Sequence, residues 1–180
     1  GALRAKLAEL DGKVAAVMLE PMNVTTPAPG YLEAVKEATH AAGAVLIFDE
    51  TITGFRFAPG GAQERYGVMP DLSTHAKVLA GGLPGGCVTG REDVLTMLEI
   101  REDREWNDRH RVQHQGTFNA NPAAAAAAIQ RLDTRWSFTR VLSATGATWR
   151  GNDRSRAGRS AISSLRRICA CCTASRSSGN

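Results

Sequence analysis

The sequence lacks the features of several special classes of protein. No apolar run reaches the roughly 18 residues of a membrane-spanning helix, and the start, GALRAKLAEL, has neither the basic nor the apolar stretch of a secretory signal. Four cysteines among 180 residues are too few for a disulfide framework. No initiator methionine precedes Gly1, so we expect the chain to begin inside a longer gene product. These absences, with 43% hydrophobic and 22% charged residues, predict a globular, cytoplasmic protein that does not contact a membrane.

Charge and serine are unevenly distributed along the chain. Residues 1–130 contain 12 Lys and Arg against 16 Asp and Glu, whereas residues 131–180 contain ten Arg, two Asp and neither Lys nor Glu. Nine of the ten serines also lie in the second segment. We therefore expect two regions, a folded one at residues 1–130 and a basic tail, rich in Arg, Ser and Cys, at residues 131–180.

The first region alternates strand and helix patterns. Apolar runs at residues 14–19 and 44–48 predict two β-strands, and helically spaced apolar residues predict a helix at residues 31–42 between them. Gly43 suits the position just past the end of that helix. A strand, helix and strand in this order predict an α/β fold, with parallel strands buried on both faces and a right-handed crossover.

Residues that could do chemistry follow these strands. Asp49 and Glu50 end the second strand, at the edge where parallel sheets bind ligands, although a helix cap or a solvated strand end is the alternative. Lys77 precedes a glycine-rich run, residues 81–86, in an apolar setting, so we expect it to be desolvated with a lowered pKa. Such an amine can form an imine, and a carboxylate can keep a pyridine nitrogen protonated. Asp49 and Lys77 therefore suggest a pyridoxal phosphate site, and no nucleotide-binding glycine loop is present.

Four motifs, in this order, resemble the class III pyridoxal-phosphate-dependent aminotransferases, and most closely their glutamate-1-semialdehyde 2,1-aminomutase branch. They are AAVMLEP, PAPGYLEAVKEATHAAGAVLIFDE, TGFRFAPGGAQERYGVMPDLSTHAK with AGGLPGG, and GTFNANPAAAAA. The resemblance covers about residues 14–130. It implies part of the large domain of a fold-type I transferase, in which helices flank a mostly parallel sheet.

The resemblance also implies roles for individual residues. Lys77 would be the catalytic residue and would carry pyridoxal 5'-phosphate as an internal aldimine, a Schiff base, while Asp49 would pair with the pyridine nitrogen. Thr51 would lie against the cofactor ring, although the family usually has Val or Ile there. Gly116 and Thr117 would bind the phosphate of the partner subunit's cofactor, which implies a homodimer. The substrate would be a small amino-acid-like or amino-aldehyde molecule, with aminotransferase and aminomutase both open.

The histidines have less specific settings. We interpret His40 as a surface residue and His75 as a satisfied structural histidine rather than a cofactor contact. His110 and His114 have helical spacing but no third ligand, so we predict no metal site.

Residues 131–180 carry none of the family's motifs. A basic, disordered tail that binds nucleic acid, a metal site at CACC and a shifted reading frame are the three interpretations, and the abrupt loss of acidic residues favours the shifted frame. A non-catalytic product with a nucleic-acid-binding tail is therefore the alternative function. Because the family's phosphate turn and stacking aromatic lie outside the resemblance, we expect the chain alone to be inactive.

Overall fold

The computed structural model of the protein describes residues 1–133. The basic tail expected at residues 131–180 lies outside the described residues, apart from the backbone of its first three. None of the helices in residues 1–133 is both long and apolar enough to cross a bilayer.

A four-stranded sheet forms the centre of the described region. Its strands follow one another in sequence order, with three parallel strands and a fourth that pairs antiparallel to the third. They are β1 (Ala16–Leu19), β2 (Val45–Asp49), β3 (Leu72–His75) and β4 (Cys87–Gly90). The expected α/β fold with a mostly parallel sheet is confirmed.

Helices and short turns connect the strands. The helices are α1 (Ala2–Leu10), α2 (Tyr31–Ala41), α3 (Gly61–Tyr66), α4 (Glu92–Leu95) and α5 (Pro122–Asp133). The 3-10 turns Lys77–Ala80 and Thr96–Leu98 and the π-helical turn Trp106–His110 complete the set. The predicted strand–helix–strand unit is thus confirmed as β1–α2–β2, and Gly43 follows α2 at a φ of 69°.

The core lies between α2 and the sheet. Leu32 and Val35 of α2 pack with Leu46 and Phe48 of β2, because apolar residues at helical spacing face those that alternate along a strand. Burial on both faces was wrong for β1, where Met18 is 55% exposed. This strand pairs only with β2 and so forms an edge of the described sheet.

A second apolar cluster supports the segment after β3. Phe55, Leu79 and Cys87 are buried together, and Ala128 of α5 packs against them. A Cβ at Gly85 would lie 2.8 Å from the Ala80 Cβ, so the glycine-rich run packs closely here. The alanine-rich α5 therefore packs on the turn that begins at Lys77.

Candidate active site

Asp49 lies at the carboxyl end of β2 and is held there by hydrogen bonds from Thr51 and Thr74. The Thr51 amide donates to Asp49 Oδ1 over 2.9 Å, and the Thr74 hydroxyl donates to the same oxygen over 3.0 Å. Thr74 is also the residue that pairs with Asp49 in the β2–β3 register. The side chain is therefore fixed at the edge of the sheet where ligands bind.

These contacts determine the charge of Asp49. Hydrogen bonds from the hydroxyl and amide of Thr51 hold the pKa of this carboxyl below its ordinary value of 3.8, despite an opposing effect of burial. The Thr74 hydroxyl and the positive charge of Lys77 lower the pKa further. Asp49 is thus an ionised carboxylate at neutral pH, within electrostatic range of Lys77.

Lys77 begins the 3-10 turn that follows β3, two residues after the strand ends. Its side chain is exposed in the described region, so the expected desolvation is wrong. The reason is that the turn carries the side chain out past the end of the sheet, while Leu79 and Ala80 of the same turn face inward. The backbone of Lys77 has a φ of 48°, a left-handed conformation that costs a non-glycine residue about 1–2 kcal/mol.

Glu50 has a different role from its neighbour. It is 1% exposed, and its carboxylate accepts four hydrogen bonds, from the Thr53 hydroxyl, the Ala62 and Gln63 amides and the Gln63 side chain. The helix-cap alternative is therefore correct for Glu50, which ties the loop after β2 to the start of α3. The sequence alone did not separate the roles of Asp49 and Glu50.

Strand β3 presents different side chains on its two faces. Thr74 points to Asp49, whereas Ser73 and His75 are buried on the opposite face. His75 Nε2 lies 3.0 Å from Ser73 Oγ, but Nδ1 has no hydrogen-bond partner among the described residues. The interpretation of His75 as a satisfied structural histidine therefore holds for Nε2 but not for Nδ1. Sequence analysis missed Thr74 and Ser73, although strand alternation in LSTH indicates both.

Gly116 and Thr117 lie apart from this group. They belong to an exposed turn in which the Asn119 amide donates to the Gly116 carbonyl over 3.0 Å. In residues 1–133, no hydrogen bond joins Thr117 to Asp49 or Lys77. The structure thus brings together Asp49, Thr51 and Lys77 but not the two residues expected to bind phosphate.

Comparison with known proteins identifies the family. The profile of the family described as aminotransferase class-III matches residues 2–151, which is most of the chain and reaches into the Arg-rich segment. The chain belongs to the class III aminotransferases. The boundary placed at residue 130 from composition stays a prediction.

Among the relatives, the glutamate-1-semialdehyde 2,1-aminomutase of Methanococcus vannielii is 41% identical over 136 residues. That alignment covers 73% of this chain and 30% of the relative, so the chain spans about a third of that protein. The solved structure of a β-phenylalanine aminotransferase from Variovorax paradoxus is 33% identical, with a TM-score of 0.62 over 71% of this chain and 29% of that one. An omega-transaminase from Sphaerobacter thermophilus is 34% identical, with a TM-score of 0.60 over 70% and 28% of the respective chains.

A further solved structure, described as a transaminase with PLP bound, is 28% identical with a TM-score of 0.63 over 71% of this chain and 30% of that one. None of these relatives is described as binding nucleic acid, so the alternative function has no support from them. The donor set at the end of β2 and β3 fits pyridoxal phosphate. An ionised Asp49 would complement a protonated pyridine nitrogen, and the exposed amine of Lys77 is of the kind that condenses with an aldehyde.

Proposed function

We propose that this chain is part of a pyridoxal-phosphate-dependent aminotransferase or aminomutase. In this proposal Lys77 holds the cofactor through its amine, Asp49 bonds the pyridine nitrogen and Thr51 lies beside the ring. Cofactor attachment at a lysine that follows β3 agrees with the class III membership of the chain.

One observation carries the proposal. The carboxylate of Asp49 is oriented by Thr51 and Thr74, which hold its pKa down, and it lies within electrostatic range of the exposed amine of Lys77. Two fixed donors on one carboxylate oxygen hold the side chain in a single orientation, which an aspartate solvated by water does not require. Left-handed backbone at Lys77 is a further sign, because such strain collects at functional sites.

In the proposed reaction, Asp49 and Lys77 would have separate roles. The cofactor, when bound, supplies an electron sink for the substrate carbanion. Asp49 would keep a proton on the pyridine nitrogen, which it can do because its own pKa is low. Lys77 Nζ would remove a proton from the substrate carbon and return one, acting as general base and then as general acid.

The broader properties of the enzyme are also proposals. We infer a small amino-acid-like or amino-aldehyde substrate, since the named relatives include an aminomutase for glutamate-1-semialdehyde and an aminotransferase for β-phenylalanine. We further infer a cytoplasmic homodimer in which Gly116 and Thr117 bind the phosphate of the partner's cofactor. Their position in an exposed turn, away from Asp49, is compatible with a contact to a second subunit.

A labelling experiment tests the proposal. Residues 14–130 replace the matching segment of a full-length class III relative, and the chimaera is treated with pyridoxal phosphate and then with borohydride, which makes cofactor attachment permanent. Peptide mapping should find the label on Lys77. Lys77→Ala should abolish it, whereas Lys36→Ala, a matched change on α2, should leave it in place.

Asp49 has its own expected result in the same chimaera. Asp49→Ala should keep the label on Lys77 but lose most of the turnover, because the amine remains while the pyridine nitrogen loses its partner. Label on another lysine, or a fully active Asp49→Ala variant, would show that these residues do not have the proposed roles.

A further inference from the structure

A buried polar cluster lies behind the candidate site, on the face of the sheet opposite Asp49. It consists of Glu50, Gln63, Ser73, His75 and Thr89. Gln63 Nε2 lies 3.0 Å from Glu50 Oε1 and 3.2 Å from Ser73 Oγ. Ser73 Oγ in turn lies 2.8 Å from Thr89 Oγ1 and 3.0 Å from His75 Nε2. The cluster therefore connects the loop after β2, helix α3 and strands β3 and β4.

In this polar cluster, the donor and the acceptor of each hydrogen bond can be assigned. Gln63 has two amide hydrogens, and it gives one to Glu50 and one to Ser73. His75 is 5% exposed, and burial lowers its pKa more than the nearby charges of Glu50 and Asp49 raise it, so the ring is neutral at pH 7. One ring nitrogen therefore carries a proton and the other does not.

The missing partner of Nδ1 decides which nitrogen is protonated. A proton on Nδ1 would bury a donor without an acceptor, at a cost of about 1–3 kcal/mol, whereas an unpaired acceptor is tolerated better. The proton is therefore on Nε2, from which His75 donates to Ser73. Ser73 accepts from Gln63 and His75 and donates its own hydrogen to Thr89, so its hydrogen-bonding capacity is fully used.

The His75 ring also fits closely against the loop that follows Asp49. Its centroid lies 5.2 Å from that of Phe55, a residue with a left-handed φ of 60°. A Cβ at Gly54 would lie 2.6 Å from His75 Nδ1, so only glycine fits between the loop and the ring. His75, the last residue of β3, thus contacts the loop on one side and Ser73 of its own strand on the other.

We propose that His75, as the neutral tautomer protonated on Nε2, is a positioning residue that holds β3 and the loop after β2 in place behind Asp49 and Lys77. This role rests on the function proposed for those two residues. Through Ser73 it fixes the strand that presents Thr74 to Asp49, and through the packing against Gly54 it fixes the segment that presents Thr51.

The tautomer is tested directly in the 180-residue chain. Long-range ¹H–¹⁵N spectra of histidine-labelled protein show which ring nitrogen is protonated, and the His75 signals are those missing from His75→Gln. We expect only Nε2 to be protonated at pH 7 and the ring to take up its second proton with a pKa below the ordinary histidine value of 6.5. A proton on Nδ1, or on both nitrogens at pH 7, overturns the proposal.

Positioning is tested by the response of Asp49 to changes at His75. In His75→Leu the pKa of Asp49 should rise toward 3.8, and exchange of the Thr51 amide should speed up about tenfold, the equivalent of one lost hydrogen bond. His75→Gln keeps a donor for Ser73 and should preserve both values. His114→Gln, a change at an exposed histidine, should alter neither.

The outcomes separate the two proposals. Wild-type values of both quantities in His75→Leu, or equal damage in His75→Gln, overturn the positioning role while the labelling of Lys77 stands. A chimaera without label on Lys77 overturns the proposed function instead. If His75→Leu does not fold, Ser73→Ala, which removes the acceptor but keeps the ring, takes its place with the same expected shift of the Asp49 pKa and the same contradicting result.

Discussion

Replacing Glu50 by alanine is the perturbation whose effect can be estimated most directly from the structure. The carboxylate is 1% exposed and accepts four hydrogen bonds, two of them from backbone amides at the start of α3. Glu50→Ala leaves these donors without a partner in a buried space that water does not readily enter. Because Glu50 joins the loop after β2 to α3, the loss should also loosen the loop that carries Thr51.

The magnitude follows from the two amides that cannot find another acceptor. Each unsatisfied buried donor costs about 1–3 kcal/mol, and Glu50→Ala leaves two such amides. The free energy of unfolding should therefore fall by about 2–6 kcal/mol. Glu50→Gln should lower the free energy of unfolding by a smaller amount, because the carboxamide oxygen still accepts hydrogen bonds. Some loss should remain, because the new NH₂ group faces other donors.

Urea unfolding followed by circular dichroism measures the effect through the midpoint, since the slope should not change. Glu64→Gln is the matched control, because Glu64 lies on the same helix, is exposed and, within residues 1–133, accepts a hydrogen bond only from the Gly60 amide. Its free energy of unfolding should change by less than about 1 kcal/mol. A Glu50→Ala variant that unfolds at the wild-type midpoint would refute the assignment of Glu50 as the cap of α3.

Three further predictions use the same measurement. Lys77→Gly should be more stable than Lys77→Ala by about 1–2 kcal/mol, because glycine accepts the φ of 48° without strain; equal stabilities would contradict the strain. Gly61→Ala should cost about 1–3 kcal/mol more than Gly67→Ala, because both have a left-handed φ but only the Gly61 Cβ would overlap the Glu50 carboxylate; similar costs would contradict that contact. Hydrogen bonds from the Leu46 amide, His40 and Arg91 outweigh burial and lower the pKa of Asp71 below 3.8, so the stability it adds is present above pH 3.8 and lost as the pH falls below it. At pH 7, Asp71→Asn should therefore unfold at a lower urea concentration than the wild type. Between pH 7 and pH 3, its urea midpoint should fall by less than that of the wild type.

The sequence predicted the arrangement of the chain better than the environment of its side chains. Periodicity located β1, α2 and β2 to within two residues, because each is a local pattern of apolar spacing. The exposure of Lys77 was not predictable in the same way. An apolar, glycine-rich setting in sequence indicates burial of the segment, but the 3-10 turn buries Leu79 and Ala80 and exposes the lysine.

The division of roles between Asp49 and Glu50 shows what a linear pattern leaves out. The two carboxylates are adjacent, and successive side chains at a strand end point in opposite directions. One therefore meets Thr51 and Thr74, and the other meets α3, which begins eleven residues further along the chain. Only the hydrogen bonds from α3 to Glu50 distinguish them, and those contacts are a property of the tertiary structure.

The same alternation separates the two faces of β3 beside the candidate site. Asp49 and Thr74 face the site, while Ser73 and His75 face a cluster in which every described partner is hydrogen-bonded except His75 Nδ1. The strain at Lys77 must be compensated elsewhere, since left-handed backbone at a lysine is unfavourable by itself. The buried face of β3 and the packing of α5 on the turn that begins at Lys77 are the contacts that surround this segment. Rigid support therefore lies behind the sheet, and the groups proposed to react lie at its edge, where a ligand can reach them.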